Sequence, residues 1–229
     1  MILKFKLGLG MILFNAIIIL MIAGCTNQED CPRYVQVPAF ITPKSIEYHI
    51  GDTITITSKF HKDVQTFNSE FKEIDLTDMS DLEWQPTTII SRIDTIGQSQ
   101  ITAVDKYFYF VENAEYNYHL FIESQDFSAL DGSYNFHNDS FDLQIQLVPK
   151  KIGTYLLLQQ CGANVLGKQR FPGRCPGENV DAWVKMNNGD SNNIQLLLQS
   201  PDSFWNTTFL YNPKANFYED GGYCFKVVP

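Results

Sequence analysis

The amino-acid sequence predicts a mainly β protein, an antiparallel β-sandwich with at most one or two short helices. Residues 141–148 alternate strictly between apolar and polar side chains, which is typical of a strand with one buried face. Residues 53–57 alternate threonine with isoleucine, and both are β-branched residues that pack well on a pleated sheet. Turns that contain Gly or Pro separate the strand-like runs, as expected between the short strands of a sandwich.

The predicted elements follow the chain in order. Early strands are predicted at 34–37, ended by Pro38, at 45–50 and 53–57, joined by a Gly51-Asp52 turn, and at 87–93 and 100–104. Residues 61–86 are the least strand-like part, and the acidic run 75–81 predicts a loop or a single helical turn. Later strands are predicted at 107–111, 116–122, 141–148, 154–160, 181–186 and 221–228. A turn at 187–190 and a short helix at 192–199 complete the assignment.

The link between the strands at 141–148 and 154–160 narrows the type of sandwich. It contains Pro149 and Gly153, and the second strand opens with Gly153-Thr154-Tyr155. This arrangement resembles the E–F corner of immunoglobulin-like sandwiches, where a tyrosine hydroxyl bonds back to the backbone of the corner. The resemblance implies that role for Tyr155. The Cys…Trp…Cys core of antibody domains is absent, because the strand at 53–57 has no cysteine.

The N-terminal residues predict export. Lys4 and Lys6 precede an apolar run from residue 7 to residue 21, which ends in Ala23-Gly24-Cys25. A basic start, an apolar middle and small residues at a cleavage site are the parts of a signal peptide. The alternative is an uncleaved membrane anchor, but the run of about 15–18 residues is shorter than the ~20 that a spanning helix needs.

The cysteine directly after Ile22-Ala23-Gly24 resembles the lipobox of bacterial lipoproteins. That resemblance implies a signal peptide at 1–24 and a lipid-modified Cys25 on a short tether at 25–33. The acidic pair Glu29 and Asp30 resembles the surface-export signal of Bacteroidota lipoproteins. We therefore expect a lipid-anchored outer-membrane protein at the cell surface, with one sandwich domain at 34–229 in which residues 61–100 are a candidate elaborated edge.

Charge argues against nucleic acid as a partner. The chain has 17 basic and 26 acidic residues, and removal of Lys4 and Lys6 with the signal peptide makes the balance more acidic. An acidic surface repels phosphate backbones and anionic membranes alike. Contact with the membrane is therefore expected through the lipid alone.

The cysteines predict disulfides. Apart from Cys25, the chain contains Cys31, Cys161, Cys175 and Cys224, and an exported chain folds in an oxidising compartment. Three pairings are open. The one we favour joins Cys161 to Cys175 across a short loop and Cys31 to Cys224, which would tie the start of the domain to its last strand. A zinc site is the alternative, but no CxxC pair supports it.

The sequence predicts no enzyme, cofactor or metal site. Neither the nucleophile-elbow nor the zincin motif is present, nor is a phosphate-binding loop or an EF-hand. His49, His61, His119 and His137 are scattered along the chain, without metal-ligand spacing. Oxygen-rich residues at 131–142 and 187–193 could hold calcium, although polar hairpin turns are the favoured interpretation.

Aromatic residues give the main functional prediction. Tyr107 and Tyr109 would share one face of a strand, with Tyr116 and Tyr118 following the same parity, and exposed rings suit contact with sugars or peptides. The alternative is a central strand with both faces covered. We therefore expect a non-catalytic surface module that binds a glycan or peptide. The second hypothesis is a structural or fimbria-type assembly subunit whose strands pair with another envelope protein.

Overall fold

The computed structural model describes residues 31–97, 101–163, 180–190 and 192–229. The predicted signal peptide, Cys25, the acidic pair of the tether and Cys175 lie outside these residues. Within the described part of the chain, no helix combines the length and the apolar composition that crossing a bilayer requires.

The described residues form fifteen strands in two sheets, which confirms the prediction of a mainly β fold. The strands are β1 (Tyr34–Thr42), β2 (Glu47–His49), β3 (Ile54–His61), β4 (Asp63–Phe67), β5 (Glu73–Asp78), β6 (Gln85–Arg92), β7 (Thr102–Ala103), β8 (Phe108–Val111), β9 (Tyr118–Ser124), β10 (Phe127–Gly132), β11 (Asn135–His137), β12 (Ser140–Pro149), β13 (Gly153–Gly162), β14 (Asp181–Met186) and β15 (Gly222–Val228).

The first sheet has the order β11-β12-β3-β1-β4-β5, with β14 beside β1 and β8 beside β12. The second sheet has the order β2-β15-β13-β6-β7-β10-β9. Most neighbours are antiparallel, but three pairs are parallel: β1 with β14, β2 with β15 and β7 with β10. The predicted antiparallel sandwich is therefore a mixed one.

The two sheets enclose the main hydrophobic core, and strand periodicity decides which side chains enter it. In β12 the residues Phe141, Leu143, Ile145 and Leu147 are all buried, as their alternation predicts. They share the core with side chains from the second sheet such as Phe225. Burial of this apolar face stabilises the sandwich by about 25 cal/mol per Å² removed from water.

A helical layer covers the outer face of the second sheet. It contains a four-residue α-helix, Gln195–Leu198, within the predicted helix at 192–199, followed by short 3-10 and π turns up to Tyr218. Leu197, Trp205 and Phe217 pack there against Leu156 and Cys224 of the sheet. The sequence predicts no element for 202–218, because turns of five residues or fewer give no helical periodicity.

The corner between β12 and β13 has the predicted geometry. Tyr155 is fully buried, and its hydroxyl donates a hydrogen bond to the carbonyl of Lys151 at 3.0 Å. Burial raises the pKa of this phenol, so Tyr155 is a hydrogen-bond donor at physiological pH. The resemblance to the immunoglobulin-like corner is confirmed at this residue.

Two local predictions are wrong. The chain remains extended through Pro38, because β1 pairs with β14 from Tyr34 to Ala39 while its antiparallel partner changes from β4 to β3. The acidic run at 75–81 is predicted as a loop or a single helical turn, but residues 75–78 lie in β5 and only 79–81 are outside a strand. Acidic side chains are tolerated on this strand because it lies at the edge of the sheet and most of them face solvent.

The predicted disulfide pairings are also wrong. Cys161 and Cys224 are both free, buried thiols. They lie on opposite faces of the second sheet, because Cys161 belongs to the core between the sheets and Cys224 lies under the helical layer. Burial raises the pKa of Cys161 to about 12, so its thiol stays protonated and unreactive. Cys31 is disulfide-bonded, and neither free cysteine is its partner.

Candidate functional site

A cleft of about 690 Å³ opens at one end of the sandwich, where β6 begins and β10 ends. The segment 80–85 forms one wall, and the chain from Asp131 to Phe136 forms the other. This volume falls within the range of about 300–1,000 Å³ that is usual for small-molecule sites. The cleft is the candidate functional site.

The floor of the cleft is aromatic. Trp84, Tyr134 and Phe141 line it and are buried, and all three rings pack around Phe60 at centroid distances of 5.1–5.2 Å. Phe136 lies at the mouth, 4.7 Å from Phe141, and remains 47% exposed. The buried rings therefore hold one exposed ring in a fixed position at the entrance.

Polar side chains form the rim. Thr87, Asp131 and His119 are neighbours across β6, β10 and β9, because the strand register pairs Asp131 with both of the others. Asn117 adds an amide, which donates to Ser133 Oγ at 3.1 Å. Carboxylate, hydroxyl, imidazole and amide groups can exchange hydrogen bonds with the hydroxyls of a ligand.

Two buried polar atoms beside the cleft have no hydrogen-bond partner among the described residues. They are the indole nitrogen of Trp84 and Oδ1 of Asp131. Buried polar groups are nearly always hydrogen-bonded, so such atoms call for a water, an ion or a ligand group as their partner. Both residues line the cleft.

Gly132 allows β9 and β10 to meet at this end of the sheet. A Cβ at this position would lie 2.2 Å from the carbonyl oxygen of Asn117 and 2.3 Å from the ring of Tyr118. No residue other than glycine therefore fits without moving the start of β9. The position of the rim depends on this glycine.

The predicted tyrosine face is corrected at Tyr107. This residue ends a short helix, α1 (Val104–Tyr107), and is not part of the strand that begins at Phe108. The helical turn rotates the Tyr107 ring into the core, where its centroid lies 5.3 Å from that of Tyr155. Tyr109 is 61% exposed, with the Lys150 ammonium 4.8 Å from its ring centroid.

Tyr118 is also buried, so the prediction that it contacts ligand is wrong. Its side chain lies on the inner face of the second sheet, and its hydroxyl is 2.7 Å from that of Thr88. Tyr116 is half-buried, and its hydroxyl donates to Asp142 at 3.0 Å. Burial and this bond raise the pKa of Tyr116 to about 12. Only Tyr109 of the four predicted tyrosines therefore presents an exposed ring.

A second aromatic cluster joins β1, β14 and the turn between β4 and β5. Tyr34 stacks on Trp183 at 4.4 Å and on Phe71 at 5.3 Å, and Lys214 lies 3.8 Å above the Phe71 ring. Phe71 has a φ of 63°, which is uncommon outside glycine and asparagine. Phe71 is nevertheless 43% exposed and lines a smaller cavity, of about 230 Å³, with Trp183 and Lys214. Asn68 supports the turn by accepting the amides of Glu70 and Lys72.

Sequence reasoning misses the cleft for a physical reason. Trp84 and Phe136 are 52 positions apart and come together only through the sheet topology. The sequence favours polar turns over 131–142, and Asn138 and Asp139 do form a tight hairpin turn with positive φ angles between β11 and β12. The signal that could have revealed the cleft is Phe136, an apolar residue between that turn and Gly132.

No protein-family model matches the chain, and no curated protein matches its sequence. A solved structure of the human F-spondin reeler domain is 10% identical, with 62% of this chain and 86% of that chain covered and a TM-score of 0.34. A cohesin module from a Clostridium perfringens family 33 glycoside hydrolase is 9% identical, with 66% and 99% covered and a TM-score of 0.30. Similarity at this level supports no inference about ligand or partner.

Proposed function

We propose that this protein is a lipid-anchored envelope protein that captures a glycan in the aromatic cleft, without catalysis. The observation that supports this most is the combination in one cleft of an exposed Phe136, a buried aromatic floor and a polar rim. Sugars present apolar C–H faces and a ring of hydroxyls, and they need both kinds of contact. The site differs from the tyrosine face that the sequence predicts, but the ligand class is the same.

The proposed anchor rests on the N-terminal sequence. Cys25 follows Ala23-Gly24 at the end of the apolar run, and two or more acyl chains on such a cysteine give stable membrane attachment. The first strand begins only nine residues later, at Tyr34. A short tether of this kind would keep the sandwich close to the outer-membrane surface.

Glycan binding can be tested with the full chain in detergent micelles, first on a glycan array and then by calorimetry. Phe136→Ala and Asp131→Asn are expected to weaken binding at least tenfold, which corresponds to about 1.4 kcal/mol. Tyr211→Ala is the matched control, since that ring is exposed but lies in the helical layer. A glycan that binds all four proteins equally would contradict the proposed site, and no binding on the array would contradict the ligand class.

The anchor requires a separate experiment. Whole cells that express the native chain or Cys25→Ala would be labelled with a membrane-impermeant reagent. The native protein is expected to be accessible and membrane-bound, while the variant is released from the membrane. A native chain that stays shielded from the reagent would contradict cell-surface exposure and place the protein inside the envelope.

A second candidate function is an assembly subunit of the envelope. The observation that favours it is β9, whose residues from His119 to Ser124 are all exposed at the edge of the second sheet. Exposed edge strands can accept a strand from another chain. Retention of oligomers in a variant that has lost glycan binding would support this second function.

A further inference from the structure

The edge strand β9 is unusually apolar for its exposure. Leu120, Phe121 and Ile122 are 37%, 42% and 58% exposed, and within the described residues β9 pairs only with β10. Neighbouring residues of a strand point to opposite faces, so apolar side chains are exposed on both faces of β9. A free backbone edge between two apolar faces is the surface that another strand covers best.

β9 has few of the devices that usually protect an edge; the exception is an irregularity at Glu123, near its end, where the register with β10 shifts by one residue. Its seven residues include no lysine, proline or glycine. Three other strands at the borders of the two sheets are short, with three residues in β2 and β11 and four in β8. The six-residue β14 pairs with β1 on one side, and on its other side Val184 forms a bridge with Asp220. The six-residue β5 has acidic residues at three of its positions. Among the described strands, β9 is therefore the long edge best suited to pair with another chain.

We propose that β9 pairs antiparallel with β9 of a second copy of this chain, about a two-fold axis at Phe121. This register places Phe121 opposite itself, Leu120 opposite Ile122, and His119 opposite Glu123. Isologous contacts of this kind are the commonest route to a dimer. The proposal rests on neither glycan binding nor lipidation. It identifies a second copy of this chain as the partner of β9, the edge strand that favours an assembly role.

The sequence of β9 is self-complementary in this register. Two apolar contacts between Leu120 and Ile122 and one contact between phenylalanine rings lie at the centre, with two histidine–glutamate pairs flanking them. Cross-strand pairs of these kinds contribute about 0.2–1 kcal/mol each. In this register even-numbered residues lie opposite even-numbered residues. The backbone amides and carbonyls that point away from β10 in one copy therefore meet those that point away from β10 in the other. An unrelated strand would have no reason to match both the apolar centre and the flanking polar pairs.

The expected dimer is weak in dilute solution. One strand pair with its side chains buries less than the ~1,200–2,000 Å² of a standard stable interface. Confinement on a membrane raises the effective concentration of the second copy, and association there needs no additional contact. The pairing is therefore best tested in cells.

The test is cysteine crosslinking of the full chain in Gram-negative cells. Phe121→Cys places a thiol opposite its own copy, at a Cβ separation of about 4.5–5.5 Å, from which an S–S bond can form with small adjustments. Leu76→Cys on β5 is the matched control, because this residue is even more exposed, at 67%. The native Cys161 and Cys224 are buried and are not expected to interfere.

The proposal predicts a disulfide-linked dimer for Phe121→Cys and little or none for Leu76→Cys. Two differently tagged copies that carry Leu120→Cys and Ile122→Cys should crosslink to each other, while either variant expressed alone should crosslink much less. Equal dimer yields for positions 76 and 121 would overturn the pairing. A Phe121→Cys adduct that mass spectrometry identifies as a different protein would overturn the second copy as the occupant.

Discussion

Two long edge strands among the described residues, β5 and β9, differ in how they meet solvent. β5 presents Glu73, Asp75 and Asp78 with one strongly exposed apolar residue, Leu76. β9 presents three consecutive apolar residues, flanked by one histidine and one glutamate. A second copy that approached β5 would bring carboxylates against carboxylates, whereas β9 is complementary to itself. Charge placement and apolar content together therefore distinguish the edge proposed to associate from the edge that is protected.

The largest expected effect comes from a substitution at the point where β9 joins β10. Gly132→Ala adds a Cβ that must displace the backbone at Asn117, because the two would otherwise lie only 2.2 Å apart. We expect a loss of about 2–3 kcal/mol of unfolding free energy, as for other overpacked sites. Urea denaturation measures this loss. Gly162→Ala is the control, since a Cβ there meets only an ordinary 3.7 Å contact, and equal losses in both variants would contradict this role of Gly132.

The next effect compares the two edges directly. Ile122→Lys puts a charge on the apolar face of β9 and is expected to weaken dimerisation at least tenfold, or about 1.4 kcal/mol. Leu76→Lys makes the same change on β5 and should leave the dimer unchanged. Energy transfer between labelled copies in vesicles measures both. If the two lysines act alike, β9 has no special role.

A smaller effect tests the register. His119→Glu would place glutamate opposite Glu123, and Glu123→Lys would place lysine opposite His119. Each change is expected to weaken the dimer about three- to tenfold, given the 0.2–1 kcal/mol of a cross-strand pair and two pairs per dimer. The double exchange restores opposite charges and should restore most of the affinity. Additive losses in the double variant would exclude the proposed register.

The smallest effect concerns β5. Replacing Glu73 and Asp75 together with threonine removes the like charges that keep a second copy away and raises the strand propensity. We expect weak new association that sedimentation detects only at the highest protein concentrations. A variant that remains as monodisperse as the native chain would show that features other than charge protect this edge.

Much of the sandwich is predictable because its determinants are local. The alternation in β12 and the Gly-Thr-Tyr start of β13 lie within one hairpin-sized segment, and the Tyr155 hydrogen bond spans only four residues. The prediction for Tyr107 fails for an equally local reason. A single helical turn before Phe108 changes the face of one residue, and such a turn leaves no periodic pattern in the sequence.

The site and the cysteines are not predictable, because they depend on which strands become neighbours. Trp84 directly precedes β6 of the second sheet, and Phe136 lies in β11 of the first sheet. The two residues line one cleft only because these strands come together in the folded protein. The disulfide predictions assume that loop length and chain ends decide the pairing. Instead, Cys161 and Cys224 are each buried in a separate apolar cluster of the folded sheet, where both are free thiols.

The position of β1 has a mechanical consequence. Tension that reaches the domain through the chain before Cys31 is applied along β1, which bonds to β14 over six consecutive residue pairs and to β3 and β4 on its other side. A load along the strand axis stretches all of these backbone hydrogen bonds at once, in shear. A load across an edge would instead break them one after another. Survival under force depends on the unfolding rate. A load that enters at Tyr34 is therefore carried by an interior strand, and the proposed lipid tether would be one source of such a load.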